Sequence, residues 1–181
     1  MARLGGKITQ GLRYKLSFGF ASFSRTTARP DMADLEQIKK TFLSSPNFAV
    51  VGASKDKTKF GTKILQWYQA RNFKVTPVHP KEGELEGLAT VSSLKELASP
   101  STTSVSVVTP AKVTLNVLKE AKELGVPALW IQPGAEGPEI ADYIKENGLE
   151  NRVVYGGPCL LVQGDGIRQK LPELSGIHHL K

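Results

Sequence analysis

Gly52-Ala53-Ser54 closes an apolar run, Gly61 opens a helical pattern nine residues later, and Lys55, Lys57 and Lys59 lie between them. These residue types suit anion binding. A glycine lets the chain turn tightly after a buried strand, and the unpaired N–H groups and positive dipole end of the next helix favour a phosphate. The lysines bring positive charge to the same loop. An ordinary strand-to-helix connection with a solvated basic loop offers the same few residues, so the rest of the chain has to decide.

Such a loop works only if strands and helices hold it. Residues 34–43 predict a short packing helix, with Asp34 as cap, Gln37 in the first turn and Leu35, Ile38 and Phe42 on one face. Residues 48–51 read as a strand, and Ile64, Leu65 and Tyr68 mark the buried side of a helix ending near Asn72. A second strand covers 75–78 and closes at His79-Pro80, although Pro77 removes a ladder donor there. Residues 88–91 predict a short third strand beside it, and 92–98 a small helix.

The second half repeats the alternation. Strands are expected at 105–108, 128–131 and 153–155, ended by Thr109-Pro110, Gln132-Pro133-Gly134 and Gly156-Gly157-Pro158. Between them Val113, Val117, Leu118, Ala121 and Leu124 outline one helix, and Ile140, Tyr143 and Ile144 another. Strands alternating with helices predict a doubly wound α/β domain, a mostly parallel sheet of five to six strands with helices on both faces. In such a sheet the ligand lies outside the carboxyl ends of the strands, near the switch point between the first and fourth strands. The Gly-, Pro- and hydroxyl-containing elements fall at those ends.

With 181 residues the chain has room for one such domain, 40% hydrophobic and 23% charged. Its formal charge of +7 does not imply nucleic acid. Six of the 24 Lys and Arg residues lie in residues 1–30, which hold no acid, so the remaining 18 face 17 acids and no basic face survives. That first segment is basic and hydroxyl-rich, with Leu4, Ile8, Leu12, Leu16 and Phe20 spaced four apart. It resembles a mitochondrial transit peptide, which implies a matrix protein; a disordered basic leader is the alternative. No run approaches the ~20 apolar residues of a membrane span, so no membrane partner is expected. Residues 31–170 are taken as the domain and 171–181, with His178 and His179, as a tail.

A single cysteine, Cys159, excludes an intramolecular disulfide and a multi-cysteine metal site, and His79 is isolated from the terminal pair. A metal is not expected. An NAD fold would show Gly-x-Gly-x-x-Gly and an acid after the second strand, whereas this chain has Gly52 and Gly61 and then His79-Pro80-Lys81. Lys81 instead suits a ribose bearing an extra phosphate, as in NADP or coenzyme A.

The ordered set Val-Val-Gly-Ala-Ser, Gly61 at the helix start, Val-His-Pro-Lys, Val-Val-Thr-Pro, Leu-Trp-Ile-Gln-Pro-Gly-Ala-Glu and Gly-Pro-Cys-Leu resembles the stand-alone CoA-binding domain proteins over residues 47–161. These are similar to the amino-terminal domain of the succinyl-CoA synthetase alpha subunit. The resemblance implies a Rossmann-like fold that binds coenzyme A, or an acyl-CoA, with the diphosphate against the first loop. By position it assigns Gly52, Ala53 and Ser54 to the phosphates and Lys81 to the adenosine 3′-phosphate, with Lys59 and Gly61 of the same loop and helix start as further cofactor-binding candidates. Thr109 and Pro110 fall to the adenine or ribose side, and Gln132 to Ala135, including Gly134, to the pantetheine arm.

The synthetase's phosphohistidine domain has no counterpart in these 181 residues, and no nucleophile, base and orienting acid align. The expectation is a CoA- or acyl-CoA-binding protein without catalytic activity of its own. Two other readings stay open: an NADP-dependent oxidoreductase, and a redox sensor in which Cys159 forms a mixed disulfide with CoA. A homo-oligomer or a protein partner also stays open.

Overall fold

Short apolar runs separated by amphipathic segments fold as parallel strands joined by helical crossovers, because a strand buried on both faces is reached again only from its far end. The structure, a computed structural model, describes residues 32–171. It opens with α1 (Met32–Leu43) and continues through β1 (Asn47–Val51), α2 (Phe60–Gln69) and β2 (Val75–Val78). A small hairpin of β3 (Glu84–Leu85) and β4 (Leu88–Ala89) follows. Then come β5 (Thr103–Val107), α3 (Ala111–Glu123), β6 (Leu129–Ile131), α4 (Pro138–Glu146), β7 (Val153–Val154) and α5 (Leu160–Arg168). The main sheet runs β2-β1-β5-β6-β7 with every pairing parallel. This is the doubly wound α/β domain read from the sequence. Strand order reverses between β1 and β5, which opens a crevice at their carboxyl ends.

Period-two alternation divides the core. Phe48, Val50, Trp130 and Val154 pack with α1, α2 and α5, while Ala49, Val51, Val105, Val107, Leu129 and Ile131 pack with α3 and α4. On the α2 side β5 turns in Ser104 and Ser106, both buried, and each is satisfied: Ser45 Oγ lies 2.6 Å from Ser104 Oγ and the Tyr68 hydroxyl 2.9 Å from Ser106 Oγ. Burial holds the Tyr68 phenol far above its ordinary pKa, so it stays neutral.

Three expectations need correction or completion. Residues 88–91 do not lie in the sheet as a strand: β4 pairs with β3, and only an isolated bridge joins Val91 to Val78. Residues 92–98 form no helix beyond the 3-10 turn Leu94–Glu96, anchored by buried Leu94. The sequence reading passed over α5 altogether. Pro77 is explained by β2 being an edge strand: its carbonyl accepts the Val91 amide from outside, and a strand residue's N and O face the same side. The ring nitrogen therefore costs no bond to β1. Residues 1–30, and the tail with His178 and His179, lie outside the described residues.

Helix α5 packs on α2 because Gly164 is small: a Cβ there would lie 2.6 Å from Trp67 Cζ2. Arg71 completes the contact, with its guanidinium 4.3 Å from the Trp67 ring centroid and two 2.5 Å bonds to the Asp165 carboxylate. The Arg71 bond holds the Asp165 carboxyl below its ordinary pKa. A depressed folded-state pKa contributes stability that is fully present above the unfolded value and lost as pH falls through the folded one. Asp165 is 47% exposed, so the contribution is about 1 kcal/mol at most. Asp165→Asn is therefore expected to lower the melting temperature slightly at pH 7, with the gap closing as pH falls below the ordinary carboxylate range and through the depressed folded-state pKa; thermal melts across pH measure it.

Candidate ligand-binding site

The end of β1, the start of α2 and the end of β5 meet backbone to backbone. Gly52 has φ +105°, and a Cβ on it would lie 2.8 Å from the Val108 carbonyl carbon and 3.1 Å from Thr109 Cγ2. A Cβ on Gly61 would lie 2.6 Å from the Gly52 carbonyl carbon and 2.9 Å from the Ala53 amide nitrogen. No larger residue fits at either place, since what it would strike is main chain. Gly52, Ala53, Gly61 and Thr109 are thus brought together at the switch point, as the sequence order suggested.

Buried Thr62, one residue after Gly61, ties the turn down. Its Oγ1 accepts from the Ser54 amide at 3.1 Å and donates to the Ser54 carbonyl at 2.7 Å. The Ser54 amide is therefore spent within the protein. Its hydroxyl is not: Ser54 Oγ is buried and has no hydrogen-bond partner among the described residues. A buried hydroxyl without a partner costs free energy unless something outside the chain uses it.

Helix ends bring positive potential to this edge. Helices α2, α3, α4 and α5 all begin here, after Lys59, Pro110, Gly137 and Cys159, and none of these four residues caps its helix with a side-chain hydrogen bond, although the first amide of α5, Leu160, donates to Gln132 Oε1. Their first N–H groups and dipoles face the rim. The lysine loop contributes less free charge than its composition suggested. Lys55 pairs with Glu82 at 2.6 Å and Lys57 lies 3.9 Å from Glu86. The hydrogen bond between Lys55 and Glu82 lowers the carboxyl pKa and raises that of the ammonium. Exposed Lys59 and Lys81 enter no ion pair of that kind among the described residues.

His79 organises the loop that carries Lys81: its Nδ1 accepts from the Lys81 amide at 3.2 Å and the Glu82 amide at 3.1 Å. Nδ1 is therefore bare and any ring proton sits on Nε2. Pro110 and Gly134 are exposed at the ends of β5 and β6. Gln132 is buried at the end of β6 and meets the loop after β7 rather than the Gly52 turn. Sequence reasoning missed Thr62, the His79 acceptor and Glu136, because each acts through a residue its spacing does not reveal. A concavity of about 550 Å³ at the amino ends of the strands, lined by Lys40, Ser45, Pro46, Thr102 and Pro127, offers no helix N-terminus. Among the described residues there is no group of three or more metal-ligating side chains, and no helix long and apolar enough to cross a membrane.

A parallel sheet with uncapped helix starts gathered around a glycine-lined switch point defines an α/β domain of the kind that holds phosphorylated cofactors. The sequence pattern of the CoA binding domain family matches residues 46–165, and the chain belongs to that family. It is similar to the Bacillus subtilis (strain 168) protein YneT, described as uncharacterized, with 30% identity over 126 residues, 70% of this chain and 90% of that one. Among solved structures it is similar to a conserved hypothetical protein from Pyrococcus furiosus: 39% identity, TM-score 0.59, 65% of this chain and 97% of that one. It is also similar to part of a dinucleotide-forming acetyl-coenzyme A synthetase from Ca. Korarchaeum cryptofilum. There the identity is 25% and the TM-score 0.54, over 62% of this chain and 25% of that one.

Proposed function

We propose that the crevice outside β1 and β5 holds coenzyme A or an acyl-CoA, its diphosphate at Ser54 and the start of α2 and its 3′-phosphate at Lys81, and that the protein binds this ligand without transforming it. The observation that carries the reading is the buried, unpartnered Ser54 hydroxyl beside the uncapped start of α2. A phosphate oxygen placed there would accept from both. Family membership favours CoA over NADP as the owner of that phosphate. The rim side chains Ser54, Lys81 and Gln132 carry donors suited to holding a ligand, while the Thr109 hydroxyl is engaged by Thr114 Oγ1 at 2.9 Å. A mitochondrial matrix location remains part of the proposal, resting on the composition of residues 1–30. A fluorescent protein fused behind those residues should enter mitochondria; cytosolic fluorescence removes that element.

Isothermal titration of the full chain tests binding: CoA should give a saturable one-site curve, and no heat at millimolar CoA overturns the reading. NADPH should raise the melting temperature less than CoA does; the reverse order would favour an oxidoreductase. Lys81→Ala should weaken CoA about threefold, a surface ion pair's worth, while leaving dephospho-CoA unchanged. Equal losses for the two ligands would take Lys81 away from the 3′-phosphate.

A further inference from the structure

Three side chains from β6 and the loop after it hold the loop that follows β7. Trp130 Nε1 donates to the Pro158 carbonyl at 2.9 Å, and Gln132 Oε1 accepts from the Leu160 amide at 3.0 Å. Glu136 Oε1 accepts from the Gly156 and Gly157 amides at 2.9 and 3.2 Å. Those glycines have φ of +84° and +113°, and their two N–H groups converge on one carboxylate oxygen, a concavity shaped for negative charge and already filled from within.

Gln132 is only 2% exposed, yet its Nε2 makes no hydrogen bond among the described residues. Exchanging the amide's O and N would set an NH2 group against the Leu160 N–H, so that bond itself assigns the orientation. Nε2 shares a carbon with Oε1 and therefore stands at the first turn of α5, which starts from Cys159 without a side-chain cap. Leu160 N–H is taken by Gln132 Oε1 and Val162 N–H by the Cys159 carbonyl, so the unused amide donor stands beside the one remaining first-turn amide, Leu161 N–H, and both want an acceptor.

The geometry points to a second subsite at the end of β6, where Gln132 Nε2 donates to the carbonyl oxygen of an acyl thioester and Glu136 restricts the acyl group to uncharged ones. This rests on the CoA reading, since the thioester arrives on that ligand. Gln132 stands two strands from β1, roughly 10 Å across the sheet, a span an extended pantetheine arm covers. A free thiol is a weak acceptor and leaves Nε2 idle, whereas a thioester carbonyl satisfies it. A second carboxylate would lie beside Glu136 in a nest with no N–H left for it, and like charges at close range disfavour each other.

Titrating the full chain with CoA, acetyl-CoA and succinyl-CoA tests this. Acetyl-CoA should bind about fivefold tighter than CoA, the worth of one hydrogen bond, and succinyl-CoA about threefold weaker than acetyl-CoA. Glu136→Gln should bring succinyl-CoA level with acetyl-CoA, and Gln132→Leu should bring acetyl-CoA level with CoA. If Gln132→Leu does not fold, the wild-type ratios and Glu136→Gln still decide. Acetyl-CoA binding no tighter than CoA, or a succinyl-CoA penalty that survives Glu136→Gln, overturns the subsite and leaves CoA binding intact. Absence of binding by all three removes both.

Discussion

Gly61→Ala lowers stability by about 3 kcal/mol and takes CoA binding with it. The added methyl would fall inside the Gly52 carbonyl group and close to the Ala53 amide, and neither is a side chain that could rotate away. Either α2 moves off the sheet or the turn after β1 opens. Alanine's better helix propensity returns about 1 kcal/mol at most, too little to offset the clash. For a domain of this size the melting temperature should drop by about 10 °C, measurable by circular dichroism. Gly166→Ala is the matched control. It also lies in a helix, α5, but a Cβ there meets nothing within 4 Å, so that variant should be as stable as the parent or slightly more so. Equal losses from the two would mean that the contact between α2 and the Gly52 turn does not constrain the fold.

Ser54→Ala separates binding from folding. Its hydroxyl has no hydrogen-bond partner among the described residues, so deleting it removes an uncompensated buried polar atom and should leave the melting temperature unchanged or raised. The backbone bonds from Ser54 to Thr62 survive the change. Affinity for CoA should nevertheless fall about tenfold, because a hydrogen bond to a charged phosphate is worth roughly 1.5–3 kcal/mol. A structural serine gives the opposite pattern, lost stability and unchanged affinity. Titration and thermal melts on one preparation read both quantities.

The sheet was legible because its strands are short apolar runs ended by Gly and Pro, and the alternation with helices allows few topologies. The Gly52–Gly61 contact was legible in part: the glycines pointed to a phosphate loop between a strand end and a helix start, but the backbone contact between them is set by how α2 packs on β1. Helix α5 escaped notice because Gly164 and Gly166 break its propensity, and Gly164 is explained only by Trp67 on another helix. The segment 92–98 read as helical, yet only Leu94 and Leu97 are buried there and a single 3-10 turn suffices to bury them. Lys55 and Lys57 looked free because their partners, Glu82 and Glu86, lie across a crossover. Gln132 was read as part of a ligand loop. That its amide grips Leu160 depends on β6 lying next to β7, which no local pattern records.

The crystal structure of the full chain grown with CoA puts the central claim to its most direct test. The account predicts the diphosphate within hydrogen-bond distance of Ser54 Oγ at the start of α2, with the adenosine 3′-phosphate near Lys81. CoA bound at the amino ends of the strands, or a carboxyl-edge crevice empty at saturating ligand, would contradict it.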